Sequence, residues 1–370
     1  MNLLLTGARA PTTLYLARLL GAKHRVFIAE SCSEHLCQTS RYVTANLKLP
    51  APRFDPKGYF DQLERQMFSN QIDLCIPMCE EVMFVAAGAD HSFLKRRFLV
   101  DSLSVLKTLH NKWSFYQFCT EMGLLVPETH LLENQSDWET LSANEPWFIR
   151  PVFSRFAARS GVWKPGDFSR VGEPWVASSV LIGEGCCSYS IARKGRVVAH
   201  SAYRPTYRAG MGAGVFFEPL SSGEILEIAQ HVVKHLNFTG QIAFDFIETP
   251  KGLYTIECNP RATSGLFLVP RKSLEAALLD PDCEGQKPLL QKGRPMMLTL
   301  PTLLYGKGMP IMTRLRDLFR ARDALWDLSD PFPYADQLRI LHSLHQNARR
   351  LGLTSLQAST FDIEWDGSHG

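Results

Sequence analysis

Several common features are missing from this sequence, and each absence removes a class of protein. No run of roughly eighteen apolar residues occurs, so no segment reads as a membrane-spanning helix. The opening Met1-Asn2-Leu3-Leu4-Leu5-Thr6-Gly7 has neither a basic start nor a long apolar stretch. It reads as a first strand and not as a leader, and a cytoplasmic chain is expected. Neither sign of charge dominates: 40 Lys and Arg face 37 Asp and Glu, a formal net charge of +3. That balance gives no reason to expect nucleic acid or a membrane as partner, whereas a small anion needs only a local basic cluster. The nine cysteines include no Cys-x-x-Cys pair, so a zinc site is not expected. They read as reduced thiols, and none is given a role. The G-x-G-x-x-G dinucleotide fingerprint is absent from the first loop, Thr6-Gly7-Ala8-Arg9, and there is no internal repeat.

With 370 residues the chain is long enough for two or three packed domains. Strand and helix alternate over residues 1–105: strands at 2–6, 25–29 and 72–77, helices at 11–20, 60–69 and from 80. Such alternation predicts a doubly wound parallel sheet with helices on both faces. Ligands bind beyond the carboxyl ends of such strands, which puts Thr6–Arg9 and Cys79-Glu80-Glu81 on the binding edge. The plainer readings are a tight turn at Gly7 and acidic residues in a helix's first turn. Further on, a helix is expected over 108–120 and strands over 147–151, 174–182, 188–192 and 196–203. Apolar residues at helical spacing predict a helix over 222–236. Arginine-bearing amphipathic helices are expected over 311–325 and 334–351, their charged faces solvated, and a short strand at 361–367.

The segment 241–259 carries the chemistry. Two strands joined by Pro250-Lys251-Gly252 predict a hairpin with a three-residue loop, pairing Thr249 with Leu253 and hence Asp245 with Glu257. Alternation then puts Ile242, Phe244, Phe246, Tyr254, Ile256 and Cys258 on a core face. Asp245, Glu257 and Asn259 fall on the other. Directly opposed carboxylates repel, and a divalent cation between them removes the conflict. Oxygen ligands suit magnesium, for which manganese could substitute. A solvated polar face with tolerated repulsion is the alternative. Arg261, two residues on, could neutralise a transferring phosphoryl group or be an ordinary surface arginine.

The run Glu257-Cys258-Asn259-Pro260-Arg261 resembles the E-x-N-P-R signature of ATP-grasp enzymes, especially carbamoyl phosphate synthetase large subunit and biotin carboxylase. Other pieces follow in the family's order. His110-Asn111-Lys112, then Gly123 and Val126-Pro127, is similar to the start of the grasp domain. Phe148-Ile149-Arg150-Pro151 resembles the strand carrying a cation over the phosphates. The resemblance implies that Lys112 and Arg150 contact ATP phosphates. It also implies that Val180 and Leu181 bracket adenine through backbone groups, that Glu184 stands near the ribose, and that Arg204 or Arg208 binds a substrate carboxylate. Residues 154–161 take the place of the family's flap, with few glycines, and the hinge has Ser178-Ser179 where the family often has Gln-Glu.

The expected fold is therefore α/β, and three segments are expected. Residues 1–107 form a doubly wound N-terminal domain. Residues 108–270 form a two-part ATP-grasp domain with its hinge near 175–183, and residues 271–370 a mainly helical extension packing on it. The resemblance implies an ATP- and magnesium-dependent ligase. It would activate a small-molecule carboxylate as an acyl phosphate for attack by an amine. A kinase-like or carbamoyl-phosphate-type phosphotransfer enzyme, or a non-catalytic nucleotide-binding regulator, stays open. So does a homodimer.

Overall fold

The computed structural model describes residues 1–154, 159–166, 172–209, 212–283, 293–305 and 311–367. The chain opens with β1 (Asn2–Thr6), α1 (Pro11–Gly21), β2 (Arg25–Glu30), β3 (Ala45–Lys48), α2 (Pro56–Ser69), β4 (Leu74–Ile76) and α3 (Val82–Ala89). The four strands are parallel, in the order β3-β2-β1-β4. Leu3, Leu4 and Leu5 are buried on both faces of β1, as a strand between two helical layers requires. β3 escapes a sequence reading because it is an edge strand of alternating half-exposed and exposed residues, with no apolar run.

A single helix over 108–120 is not what forms. Instead α4 (Leu103–His110) ends and α5 (Lys112–Glu121) begins on either side of Asn111. Asn111 is extended, and its side chain accepts hydrogen bonds from the backbone of Trp113 and Ser114. It is thus the N-cap of the second helix. β5 (Thr129–Leu132), α6 (Gln135–Glu139), β6 (Trp147–Pro151), β7 (Gly161–Val162) and β8 (Trp175–Ser179) follow. They form an antiparallel sheet, β5-β8-β6-β7, over a core of Trp138, Trp147, Trp163 and Trp175.

The third sheet is built from β9 (Glu184–Arg193), β10 (Arg196–Ala209), β11 (Ala213–Leu220), then, after α7 (Gly223–His235), β12 (Gly240–Thr249) and β13 (Gly252–Asn259). The run 203–214 that carries Arg204 and Arg208 is mostly strand; its Gly210 and Met211 lie outside the described residues. Beyond come α8 (Arg271–Leu279), β14 (Met296–Met297), α9 (Thr299–Tyr305), α10 (Ile311–Arg320), β15 (Arg322–Asp323), α11 (Phe332–Ala335), α12 (Gln337–Leu351) and α13 (Ser355–Ala358). The sheet order is β13-β12-β9-β10-β11-β14-β15. One face carries Phe244 and Phe246 and packs under α7 and Phe115; the other carries Tyr189, Tyr203 and Phe217 and packs against Leu266 and Phe267.

Three expectations for the C-terminal part change. The helix from Ile311 stops at Arg320, because the next residues join the sheet as β15. The helix expected over 334–351 is two helices, α11 and α12. No strand forms over 361–367. This part also packs more widely than on the large sheet. The buried Arg18 of α1 reaches Asp330 Oδ2 at 2.8 Å and the Leu325 carbonyl at 2.6 Å. Among the described residues no helix is long and apolar enough to cross a membrane.

Candidate nucleotide and metal site

Asp245 does stand opposite Glu257, but by a different route from the one the turn predicts. The β12–β13 turn is tighter: Thr249 pairs with Gly252 and Glu248 with Leu253. That register alone would slide Asp245 past Glu257. One extra residue in β13, Ile256, restores it, since Phe246 pairs with Thr255 and Asp245 with Glu257. The tighter turn and the bulge also change the faces. Leu253 joins Phe244, Phe246 and Cys258 in the core, while Tyr254 and Ile256, expected there, are only partly buried.

Asp245 also lies beside Cys187 on its other flank, and Cys187 beside Tyr203, so one row runs Tyr203, Cys187, Asp245, Glu257 across four strands. Burial raises the Asp245 carboxyl well above the usual range, and the charge of Glu257 adds to this, although a hydrogen bond to the Cys187 thiol opposes it. For Glu257 burial acts in the same upward sense, but Lys112 and Arg150 outweigh it and hold the group low. The pair is thus one carboxylate and one group that favours its proton, the imbalance a divalent cation would remove.

Both cations arrive from neighbouring elements. Arg150, buried on β6, donates from Nη1 to Glu257 Oε2 at 3.2 Å, and from Nη2 to the Ile256 carbonyl at 3.4 Å, the residue the bulge exposes. Its buried Nε has no partner among the described residues. Lys112, the first residue of α5, is buried and donates from Nζ to the Ser154 carbonyl at 3.0 Å; its backbone N–H reaches the Val152 carbonyl at 3.1 Å. Burial lowers its ammonium to about 8, against the opposing pull of Glu257. Residues 155–158 of the expected flap lie outside the described residues.

Asn259 shares the face of Glu257, but its amide points away from a metal-binding pose. Nδ2 approaches Glu257 Oε1 at 3.4 Å, while Oδ1 accepts from Arg261 Nη2 at 2.9 Å. Arg261 is further held by the Ala262 carbonyl at 3.2 Å. Among the described residues no group of three or more His, Cys, Asp and Glu side chains is placed to hold a metal. Two carboxylates and one amide oxygen fit an ion that completes its shell with phosphate oxygens and water, which is magnesium's habit.

Solved structures share the fold. The chain is similar to an L-amino acid ligase from Bacillus licheniformis, with TM-score 0.61 and 13% identity, covering 80% of this chain and 78% of that one. It is similar to a biotin carboxylase from Campylobacter jejuni, with TM-score 0.56 and 14% identity, covering 74% and 70%. It is also similar to an N5-carboxyaminoimidazole synthetase from Staphylococcus aureus, with TM-score 0.55 and 12% identity, covering 71% of each chain. The chain has the ATP-grasp fold. No protein-family model matches the sequence, and comparison with curated proteins gives no match.

Of the hinge expected near 175–183, residues 175–179 form β8 and 180–183 link the two antiparallel sheets. Val180 is a poor donor to a base, since its N–H already goes to the Pro146 carbonyl at 3.2 Å. Leu181 is half-buried beside it. Glu184 is not turned toward the Asp245 row. It lies on the opposite face of the sheet, paired at 3.1 Å with Arg204, which also binds Glu248. Arg204 is therefore removed from the site by strand alternation. The register irregularity between Pro205 and Arg208 brings Arg208 back to the Asp245 face, where its Nη2 lies over Gly185. Arg208 is exposed and makes no hydrogen bond or ion pair among the described residues. The place of Cys187 beside Asp245 has no local signal in the sequence, because it depends on the pairing of β9 with β12 between residues 58 positions apart.

Proposed function

We propose that this chain is an ATP- and magnesium-dependent ligase. The γ-phosphoryl of ATP passes to a carboxylate oxygen, giving an acyl phosphate and ADP. An amine nitrogen then attacks the carbonyl carbon; the C–N bond forms, the C–O bond to phosphate breaks, and the amine loses a proton. The observation that carries the reading is the meeting of Lys112, Arg150, Asp245 and Glu257 from three separate parts of an ATP-grasp fold. Neighbours of this fold include an amino acid ligase, which supports an acid and an amine of that size as substrates.

Asp245, Glu257 and, after its amide turns, Asn259 would hold magnesium, which screens phosphate charge and orients the phosphoryl group when bound. Lys112 and the free Nε edge of Arg150 bind phosphate oxygens. Arg261, which holds the Asn259 oxygen in this structure, releases it on that turn and adds positive charge to the site. Arg208 takes the substrate carboxylate. Leu181 offers its backbone to adenine. We assign residues 1–107 to an N-terminal domain, 108–270 to the grasp domain and 271–370 to an extension that packs on both.

A nucleotide-binding regulator is the second reading, favoured by one observation: Glu184, expected near the ribose, is tied to Arg204 on the far face of the sheet. ADP release decides between them. A ligase releases ADP only when an acid and an amine are both present. Release with an acid alone indicates a kinase, and nucleotide binding without turnover over a broad panel indicates a regulator.

A further inference from the structure

The carboxyl edge of the parallel sheet, where ligands of such sheets bind, is covered by the chain's own C-terminal segment. Arg9 follows β1 and Ser31 follows β2. The Asp362 carboxylate sits between them. It accepts from Arg9 Nη1 at 2.5 Å and Nη2 at 2.9 Å, and from the Ser31 hydroxyl at 2.6 Å. A two-pronged guanidinium and a hydroxyl make a complete carboxylate receptor. Burial opposes the charge of Asp362, yet these donors hold its carboxyl below the ordinary range.

Arg9 does not need this partner for its own neutrality. Glu30, buried at the end of β2, already balances it through Nε at 3.2 Å, Nη2 at 2.5 Å and the Arg9 backbone N–H at 3.1 Å. Asp362 is thus a second carboxylate on a guanidinium that Glu30 has fixed in place. The segment that brings it is patterned for docking. Ile363 and Trp365 are buried, while Asp362, Glu364 and Asp366 alternate with them. Arg53 binds Glu364 at 3.3 Å and Asp366 at 3.4 Å, both on partly exposed side chains, where such pairs contribute little. Trp365 packs on Phe84 with ring centroids 4.8 Å apart. Gly367 lies against the Phe153 ring, next to Ser154, whose carbonyl holds Lys112. The covered edge therefore leads to the phosphate side of the candidate site.

We propose that Arg9 and Ser31 form a carboxylate-binding site for an amino acid, and that Asp362 is its resident occupant, displaced when the ligand binds. The choice of an amino acid rests on the ligase reading; the receptor does not. Anchored at Trp365, the segment has to open around Asp362, where Arg9 Nη1 also holds the Ser359 carbonyl at 3.0 Å and Arg53 Nη1 the Phe361 carbonyl at 3.2 Å. Two hydrogen bonds report that opening: Arg53 N–H to the Asp362 carbonyl at 3.1 Å and Ile363 N–H to the Thr360 carbonyl at 3.0 Å.

The test measures binding without nucleotide, so that failure of the ligase reading, seen as absent ADP release, stays separate. The full-length chain is titrated calorimetrically with each proteinogenic L-amino acid and with its carboxamide, while amide hydrogen exchange is followed at Arg53 and Ile363. At least one amino acid is expected to bind where its carboxamide does not, and to speed exchange at both amides. Asp362→Asn, which keeps the shape and removes the competing charge, binds that amino acid about tenfold more tightly, the effect of losing one charge-assisted contact in competition. Arg9→Lys, which keeps the charge that balances Glu30 but loses the fork, binds it at least about tenfold more weakly. The proposal is overturned if acid and carboxamide bind alike, if Asp362→Asn leaves the affinity unchanged, or if this variant, folded by circular dichroism, binds no amino acid.

Discussion

Asp245 faces Glu257 because Ile256 is one residue too many in its strand. The tight turn at 249–252 sets the hairpin one step out of register, and the bulge corrects it just before the acidic pair. The same bulge turns the Ile256 carbonyl to Arg150, so a single irregularity supplies both the opposed carboxylates and a grip on the cation beside them. Bulges often re-aim side chains at functional sites. Deleting Ile256 should leave the carboxylates opposed, because Glu257 then follows Thr255 directly and still meets Asp245, but it removes the carbonyl that Arg150 grips, and magnesium-dependent ADP release should fall about tenfold. Glu257→Gln should lower turnover at least about a hundredfold, because it takes a carboxylate from the proposed metal site and leaves buried Arg150 without its partner. A magnesium titration of ADP release checks both.

Asn111 gives a second prediction, on positioning. It starts α5 one residue before Lys112, and its side chain takes the N–H groups of Trp113 and Ser114, each at 3.0 Å. Asn111→Ala should cost about 1 kcal/mol of stability, the usual effect of losing an N-cap. It should also raise KM for ATP more than it lowers kcat, since Lys112 then loses its fixed direction. Asn111→Asp, which restores the cap, should return KM towards its starting value. Urea unfolding and initial rates over a range of ATP concentration measure the two effects.

Local signals carried the sequence reading far and then stopped where pairing became nonlocal. The parallel sheet of residues 1–76 was legible from Leu3-Leu4-Leu5 and the helices between strands, whereas the edge strand Ala45–Lys48, with no apolar run, was not. The opposition of Asp245 and Glu257 was legible, although through a looser turn and no bulge, two errors that cancel. The break at Asn111 had a local signal, an Asn before a helical run, which the continuous helical pattern obscured. The positions of Arg204 and Arg208 had none: strand alternation places both on one face, and only the irregularity near Thr206 separates them. Nor could composition show that Asp362 meets Arg9, 353 positions away.

That separation of the two arginines yields the third prediction. Arg208→Gln should raise KM for the acid substrate at least about tenfold, the loss expected for one charge-assisted contact to a carboxylate. Arg204→Gln should change it by less than about twofold, because Arg204 binds Glu184 and Glu248 on the far face, in exposed pairs that contribute little. Steady-state rates at saturating ATP distinguish them. Equal effects of the two substitutions would show that the faces are not separated in solution.

The fourth prediction concerns pH and stability, away from the site. His200 lies buried in β10, with Nδ1 at 2.9 Å from the Ser190 hydroxyl, and burial lowers its imidazole to about 4. In the unfolded chain the same group titrates near its ordinary value of about 6.5. Between these values the unfolded state binds the proton and the folded state does not. Stability from this group is therefore complete above about 6.5 and is lost as pH falls towards about 4, by about 3 kcal/mol in all. His200→Gln, which has no titrating group, should unfold with a shallower dependence on pH over that interval, whatever its stability at neutral pH. Urea midpoints measured at intervals from pH 7 to about 4.5 give the two slopes. Parallel slopes for the original chain and the variant would mean that His200 takes up its proton in the folded state without resistance, and that the space around its ring admits water.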